Sequence, residues 1–177
     1  MKTVCEFALF DTRIGECGLV WSEAGIRSLH LPDASPPETR ARIRSRHPEA
    51  VETDPPEEVR AAIDAVRRLL GGQPVDLSAI HLDTRGLSDF QRRVYAFTRT
   101  VLPGSTTTYG EVARAVDQPG SARAVGRAMG ANPFPLIVPC HRVLSAGGRP
   151  GGFSAPGGVA TKLDLLAVEG RQRSLLP

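Results

Sequence analysis

The chain has 177 residues, of which 41% are hydrophobic and 23% charged, with a formal net charge of +3, so it can form one domain or two small ones. Its apolar runs are far shorter than the ~20 residues of a membrane span, and its first residues lack the apolar core of a secretory signal. Three widely spaced cysteines argue against a disulfide framework and for a reducing compartment, so a cytoplasmic location is expected.

The first part of the chain has the pattern of a small α/β domain. Apolar and polar residues alternate over three short segments that predict strands: residues 3–10, 16–22 and 26–31. Two helices are predicted next. The first, Glu38–His47, is Arg-rich and exposed, and the second, Pro55–Leu70, has Asp54 as its N-cap. A further strand is predicted at Ala79–Leu82.

Two capping boxes predict where helices begin in the second half. Ser88 pairs with Gln91 and Thr108 pairs with Glu111, because a Ser or Thr N-cap and a Gln or Glu three residues later satisfy two free backbone donors reciprocally. Ser121 is predicted to cap a further helix. The second half is therefore mainly α-helical.

This change from strands to helices predicts two domains. We expect an α/β N-terminal domain with a small antiparallel sheet at residues 1–82, a linker at 83–87 and a mainly α C-terminal domain at 88–177. Residues 1–86 carry 11 Lys and Arg against 14 Asp and Glu, a net charge of −3, whereas residues 87–177 carry 11 against 5, a net charge of +6. The basic half indicates a polyanionic partner, nucleic acid first, although a solvated basic face is the alternative.

The helices on either side of the turn Asp117–Gly120 form a helix-turn-helix pattern. The second of them, Ala122–Met129, places Arg123 and Arg127 on one face, because they are i,i+4 neighbours. This face suits contact with a nucleic acid. Arginines that merely solvate a surface helix are the alternative.

The stretch Asn132–Val143 holds the candidate nucleophile, Cys140. Three prolines restrict the backbone around the thiol. A free Cys is only a few per cent thiolate at neutral pH, so it needs a neighbouring base or cation, which His141 and Arg142 could supply. In extended backbone, adjacent side chains point to opposite faces, so His141 could act on the thiol only through a turn or a bridging water. Packing in the core is the alternative for any single cysteine.

Four motifs occur in order between about Phe90 and Gly170. They are Thr108-Tyr-Gly-Glu111, Ala122-Arg-Ala-Val-Gly126, Asn132-Pro133 and Pro139-Cys-His-Arg-Val143. In sequence and spacing they resemble the O6-alkylguanine-DNA alkyltransferase family, whereas the first eighty residues match it only loosely.

The resemblance implies a ribonuclease H-like N-terminal domain and a winged helix-turn-helix in the C-terminal domain. It also implies DNA repair by direct, irreversible transfer of an alkyl group, above all methyl, from O6-alkylguanine to Cys140, with O4-alkylthymine as a further substrate. Each molecule would act once, as a monomer and without a cofactor. It would bind double-stranded DNA through the minor groove with little sequence specificity and flip out the damaged nucleotide.

The resemblance assigns roles to individual residues. The catalytic residues would be Cys140, His141, Glu169, Tyr109 and Asn132. The DNA-binding residues would be Arg123, Tyr109, Arg127 and Ser121, and the substrate pocket would contain Met129, Val143, Phe153 and Ser154. His141 and Glu169 would relay the thiol proton, and Arg123 would fill the space left by the flipped base. Lys162 is expected to bond loop carbonyls.

Two features bear on how far the resemblance extends. The loop Phe153–Gly158 is longer than the family's Tyr-Ser-Gly-Gly pattern and has Phe in place of Tyr, so accommodation of bulky alkyl groups is open. Some family members hold a structural zinc ion in the N-terminal domain. The candidate ligands here are Cys5, Cys17, His30 and His81, and their spacing is not compact, so no metal is expected.

Three other functions stay open. Relatives that lack the reactive cysteine grip alkylated DNA and flag it without transfer, and Cys140 argues against this role. A transcription regulator would need long polar side chains that read bases, and few lie between Ser121 and Gly130. A general cysteine hydrolase is the third alternative.

Overall fold

A computed structural model of the chain describes residues 4–170. The strands are β1 (Glu6–Thr12), β2 (Gly15–Ser22), β3 (Gly25–His30), β4 (Val51–Glu52), β5 (Thr107–Thr108) and β6 (Val143–Leu144). The α-helices are α1 (Pro36–Arg46), α2 (Glu57–Leu70), α3 (Asp89–Thr98), α4 (Tyr109–Ala115), α5 (Ala122–Gly130) and α6 (Gly158–Val168). Residues 1–3 of the first predicted domain and strand, and residues 171–177 of the last predicted domain, lie outside the described residues. Within residues 4–170, no helix is both long and apolar enough to cross a bilayer.

The larger sheet has the strand order β3-β2-β1-β4. The three predicted N-terminal strands are confirmed and form an antiparallel meander, with Phe7 opposite Val20 and Leu19 opposite Leu29. The prediction of an antiparallel sheet is wrong in the fourth strand, since β4 pairs with β1 in parallel. The chain crosses through α1 between β3 and β4 and so re-enters the sheet in the direction of β1. The sheet is therefore mixed.

Three predictions in the first half need correction. The strand predicted at Ala79–Leu82 is reduced to a single bridge between Leu82 and Ile26. Helix α2 begins after Pro56 rather than after the predicted cap Asp54, because Pro56 is still extended at φ −67° and ψ 168°. Helix α1 begins two residues before the predicted start at Glu38, since proline is tolerated in the first turn, where its missing N–H has no intrahelical partner.

The helices of the second half begin where the capping boxes predict. Ser88 and Thr108 each accept from the backbone N–H three residues later, at 3.1 and 3.2 Å, and both reciprocal bonds from the N-cap backbone are present. Ser121 occupies the N-cap position of α5, but its side chain makes no cap bond, so its predicted capping role is wrong.

The backbones of His81, Asp83 and Pro133 hydrogen-bond to the edge strand β3. Ile26 exchanges backbone hydrogen bonds with His81 and Asp83, at 2.9 and 2.7 Å. Farther along β3, Leu29 donates its N–H to the carbonyl of Pro133 at 2.9 Å. The apolar core continues from the sheet and α2 into α3, α4 and α5. The loop that leads to Cys140 is thus packed and hydrogen-bonded against the N-terminal sheet.

Candidate active site

The backbone before Cys140 is a bracketed loop rather than a strand. Asn132 holds both ends of it: the amide Nδ2 donates to the carbonyl of Val138 at 2.9 Å, and Oδ1 accepts from the N–H of Phe134 at 2.9 Å. Within the loop, Leu136 has φ +72°, a left-handed conformation that costs a non-glycine residue about 1–2 kcal/mol. Surrounding bonds and burial of Leu136 hold this strain in place.

Cys140 begins a single 3₁₀ turn that ends at Arg142. The sequence required either a turn or a bridging water for the adjacent His141 to act on the thiol, and the structure has the turn. It is followed by β6, which pairs in parallel with β5, and β5 leads directly into α4. The short β5–β6 sheet therefore fixes the distance between the cysteine and the first helix of the helix-turn-helix.

A cavity of about 980 Å³ lies among α4, α5 and the loops on either side of residue 150. Six of the predicted site residues line it: Tyr109, Arg123, Met129, Cys140, Phe153 and Ser154. Cys140 is 6% exposed. The volume is in the range of pockets that hold drug-sized ligands, about 300–1,000 Å³, and a purine base is smaller than these.

Other predicted site residues lie outside this lining. Arg127 is exposed on α5 and Ser121 is half-buried at its start. Val143 is fully buried, and its carbonyl accepts from Lys162 Nζ at 2.7 Å. Asn132 acts through the loop as described, and His141 lies behind Cys140 in the turn.

Glu169, after the end of α6, is the buried anion of the site. It accepts from His141 Nε2 at 2.8 Å, and its side chain is 3% exposed against 0% for His141. Arg142 donates to both carboxylate oxygens, at 2.9 and 2.6 Å, and to the carbonyl of Val101 at 2.6 Å. Burial alone would raise the pKa of Glu169, but the hydrogen bonds and charges of His141 and Arg142 lower it to about 2. The sequence indicates Arg142 as a cation beside Cys140, but its partner is this carboxylate.

The protonation state of His141 follows from its partner. An ionised carboxylate can only accept, so Nε2 of His141 carries the hydrogen. Burial lowers the pKa of His141 in spite of Glu169, which favours the neutral ring. Nδ1 is then a lone-pair acceptor, and it is buried without a hydrogen bond to any of residues 4–170. The ring is arranged to accept a proton at Nδ1 while Glu169 stabilises the resulting cation.

Cys140 is held as a neutral thiol with thiolate stabilisers around it. Burial raises the pKa of the thiol, whereas a hydrogen bond from Asn132, the charge of Lys162 and the backbone N–H groups of Cys140 and His141 lower it in part. Such donors stabilise negative charge on sulfur as it develops, which is the condition for a nucleophile that is activated during reaction.

Tyr109 is fixed against the cavity wall by two neighbours. Lys162, fully buried, donates to the carbonyls of Val143 and Gly152 at 2.7 and 3.2 Å and approaches the Tyr109 hydroxyl at 3.4 Å, so its predicted bonding to loop carbonyls is confirmed. Gly151 has φ +68°, and a Cβ there would stand 2.8 Å from Ser145 Oγ and 3.1 Å from the Tyr109 ring. Glycine is required because the loop approaches the ring so closely.

Potential metal ligands do not assemble near this site or elsewhere in residues 4–170, where no group of three or more His, Cys, Asp or Glu side chains could hold an ion. His30 instead shares the Ser28 hydroxyl with His47, at 2.9 Å to each Nε2. Cys17 is fully buried in the sheet.

Comparison with known proteins places this geometry in a family. Residues 89–171 match the family model described as the DNA-binding domain of 6-O-methylguanine DNA methyltransferase. The methylated-DNA--protein-cysteine methyltransferase of Mycolicibacterium paratuberculosis is 40% identical over 166 residues, covering 94% of this chain and 93% of the relative. The protein of that name from Methanothermobacter thermautotrophicus is 34% identical over 155 residues, covering 88% of this chain and 80% of the relative.

A solved structure agrees over almost the whole chain. The crystal structure of Mycobacterium tuberculosis OGT in complex with DNA matches with a TM-score of 0.75 and 33% sequence identity, covering 97% of this chain and 95% of that one. The family model, the sequence identity to these relatives and the overall fold all lead to the same family. The chain belongs to the methylated-DNA--protein-cysteine methyltransferase family.

Proposed function

We propose that this protein repairs DNA by transferring the alkyl group of O6-alkylguanine, above all methyl, irreversibly to Cys140. O4-alkylthymine is a further substrate of the same chemistry. The observation that carries the proposal is a cysteine at the wall of a cavity large enough to admit a purine base, with His141 of the buried pair His141–Glu169 next to it in the turn. The relatives' name describes transfer of a methyl group from methylated DNA to a protein cysteine, which supports the proposal.

The chemical step is a displacement at the alkyl carbon. A bond forms between Sγ of Cys140 and the carbon as the bond from that carbon to O6 breaks, and the electron pair leaves with guanine. His141 takes the thiol proton at Nδ1, directly or through a water, and Glu169 stabilises the imidazolium. Guanine takes up one proton as it leaves, with Tyr109 donating toward a ring nitrogen. The product is a thioether, which nothing in this chemistry reverses, so each molecule acts once and needs no cofactor.

Access to the lesion requires extrusion of the nucleotide, because the duplex buries O6 in the stack. Unstacking and unpairing cost a few kcal/mol. Arg123 is exposed at the start of α5 and also lines the cavity, which supports a role in filling the space that the base vacates. Arg127 and Ser121 would contact phosphates, and Tyr109 would crowd the phosphate next to the lesion.

The pocket proper would be formed by Met129, Phe153, Ser154 and Val143. Met129 supports the base from below, and Phe153 and Ser154 form the wall beside the alkyl group. The Val143 carbonyl accepts a hydrogen bond from Lys162 Nζ. A carbonyl oxygen has two lone pairs, so it can also accept a hydrogen bond from the exocyclic amine of guanine. Asn132 holds the loop and donates to the sulfur.

The finer architecture is part of the proposal. We assign a ribonuclease H-like N-terminal domain at residues 1–82, a linker at 83–87 and a winged helix-turn-helix domain at 88–177. The helix-turn-helix would lie in the minor groove of double-stranded DNA with little sequence specificity, as small residues and arginines on α5 favour contacts to shape and backbone. A monomer in the cytoplasm is expected.

Intact-mass measurement tests the transfer. Incubation with duplex containing O6-methylguanine should add one methyl group per protein, located on Cys140 by peptide mapping, and Cys140→Ala should add none while retaining lesion binding. Tight lesion binding by the unaltered protein with no mass increase would instead favour a role in flagging damage. Methylation of Cys140→Ala at the wild-type rate would refute the assignment of the nucleophile.

A further inference from the structure

A second cavity, of about 200 Å³, adjoins Cys140 at the junction of the two halves of the chain. Its walls are the loop that Asn132 holds, the loop residues Phe153–Ala155, and Arg42 and Arg46 of α1. Cys140, Phe153 and Ser154 line both this cavity and the larger one. Space for a ligand therefore continues past the reactive residue toward the N-terminal helix.

The charge of this small cavity is positive and incompletely balanced. Arg42 pairs with Asp33 at 2.8 Å, and burial and the like charge of Arg46 lower the pKa of Arg42. Arg46 lies one helical turn away on the same face of α1 and makes no ion pair within residues 4–170. His30 adds no charge here, because burial first and then Arg42 lower its pKa to about 3. Two arginines thus face one carboxylate.

The remaining arginines of α1 each have an ion-pair partner. Arg40 and Arg44 both pair with Glu52, at 3.1 and 3.9 Å, on the exposed side of the helix. Arg46 is therefore the arginine of α1 that has no ion pair within residues 4–170, and it lies at i,i+4 from Arg42, where like charges repel each other. An anion in the cavity would relieve that repulsion.

We propose that this cavity receives the distal end of larger O6 substituents, and that Arg46, beside Arg42, selects substituents that end in a carboxylate, such as carboxymethyl. The inference rests on the function proposed above. About 200 Å³ lies below the ~300 Å³ at which pockets accept drug-sized ligands, so it suits a group of a few heavy atoms. A methyl group is too short to reach α1 and is indifferent to its charge.

The chemistry of transfer is unchanged by the longer substituent. Sγ of Cys140 bonds to the methylene carbon, the bond from that carbon to O6 breaks, and guanine leaves with the electron pair and takes up one proton. The thiol proton passes to His141, and the product is S-carboxymethylcysteine. The carboxylate keeps its charge throughout, so the arginines act on binding and orientation rather than on bond making.

Single-turnover transfer rates from three matched duplexes test the proposal. The lesions are O6-carboxymethylguanine, the neutral and nearly isosteric O6-carbamoylmethylguanine, and O6-methylguanine. We expect Arg46→Ala to lower the ratio of the carboxymethyl rate to the carbamoylmethyl rate by about three- to tenfold, since Arg46 is exposed and its charge is partly screened. Arg46→Glu should lower the ratio further and accelerate transfer from O6-aminoethylguanine. Arg44→Ala, on the same helix, should leave the ratio unchanged, and methyl transfer should stay within about twofold in all variants.

The outcomes separate this proposal from the function on which it rests. An unchanged ratio in both Arg46 variants overturns the assignment of Arg46, and so does failure of the wild type to react with either larger lesion while it accepts methyl. Absence of methyl transfer in the wild type refutes the proposed function itself.

Discussion

Replacing Glu169 by Gln removes the buried negative charge on which His141 and Arg142 both depend. The carboxylate is 3% exposed and accepts three hydrogen bonds, at 2.8, 2.6 and 2.9 Å. A glutamine amide has one acceptor oxygen, so an NH₂ group would face a donor nitrogen of His141 or Arg142. Arg142, itself 4% exposed, would be left without its counter-charge.

The size of the effect follows from the pKa of Glu169. Its fall from an ordinary value of 4.5 to about 2, at about 1.4 kcal/mol for each unit of pKa, corresponds to about 3 kcal/mol of folding free energy. Loss of one partner from a buried ion pair typically costs about 3–5 kcal/mol, which agrees. Because the folded-state pKa is depressed, this stabilisation is fully present above pH 4.5 and is lost as the pH falls through about 2.

Urea unfolding of wild type and Glu169→Gln measures this difference. At pH 7 the variant should be about 3 kcal/mol less stable, the gap should begin to close below about pH 4.5, and exposed Glu57→Gln should cost less than about 1 kcal/mol. Methyl transfer should also slow by at least about 100-fold, since the base loses its stabiliser. A loss below about 1 kcal/mol, or a stability difference that stays constant down to pH 3, would refute this account of the interactions among Glu169, His141 and Arg142.

Three further predictions concern the surface, the loop and the linker. Arg123→Ala should slow transfer from duplex DNA at least about tenfold but leave reaction with the free base O6-benzylguanine unchanged, because a free base needs no flipping; equal slowing of both would contradict its role. Gly151→Ala should slow transfer and cost more stability than Gly147→Ala, because a Cβ at Gly151 would stand 2.8 Å from Ser145 Oγ and 3.1 Å from the Tyr109 ring, whereas Gly147, with a similar φ of +77°, has no atom within 4 Å of its Cβ position; equal effects in melting and transfer assays would exclude these contacts as the cause. Asp83→Asn should lower the free energy of unfolding by about 1–3 kcal/mol at pH 7, since hydrogen bonds hold the pKa of Asp83 well below its ordinary value, and the loss should fade below pH 3.8; a pH-independent loss in chemical denaturation would argue against it.

Local signals in the sequence predicted local structure well. Both predicted capping boxes, at Ser88 and Thr108, are present. Each depends only on residues three positions apart, so it can be predicted without knowledge of the tertiary fold. The bonds of Lys162 to the Val143 and Gly152 carbonyls agree with the role that the family resemblance implies. Asp54 failed as a cap because two prolines follow it and keep the backbone extended.

Several interactions between distant segments could not be predicted from local patterns in the sequence. Arg142 and Glu169 are 27 positions apart, and no periodicity joins them. The parallel pairing of β4 depends on the path of α1 across the sheet, and the left-handed Leu136 is tolerated only within its packed loop. The helix that contains Arg46 was predicted to be exposed; Arg46 is exposed, but Thr39 and Ile43 of the same helix are fully buried. Nothing in the helix's own sequence places Arg46 near Cys140.

The hydrogen bond from Leu29 to Pro133 satisfies a backbone N–H on the edge strand β3. An edge strand with unpaired backbone groups can pair with strands of other chains. Here the loop that leads to Cys140 covers part of that edge. The contact that holds the loop before Cys140 therefore also limits pairing of β3 with other chains. If the chain were cut within residues 83–87 and the second half removed, the edge of β3 would be exposed. The separated first half should then be prone to aggregate even if its own core is intact.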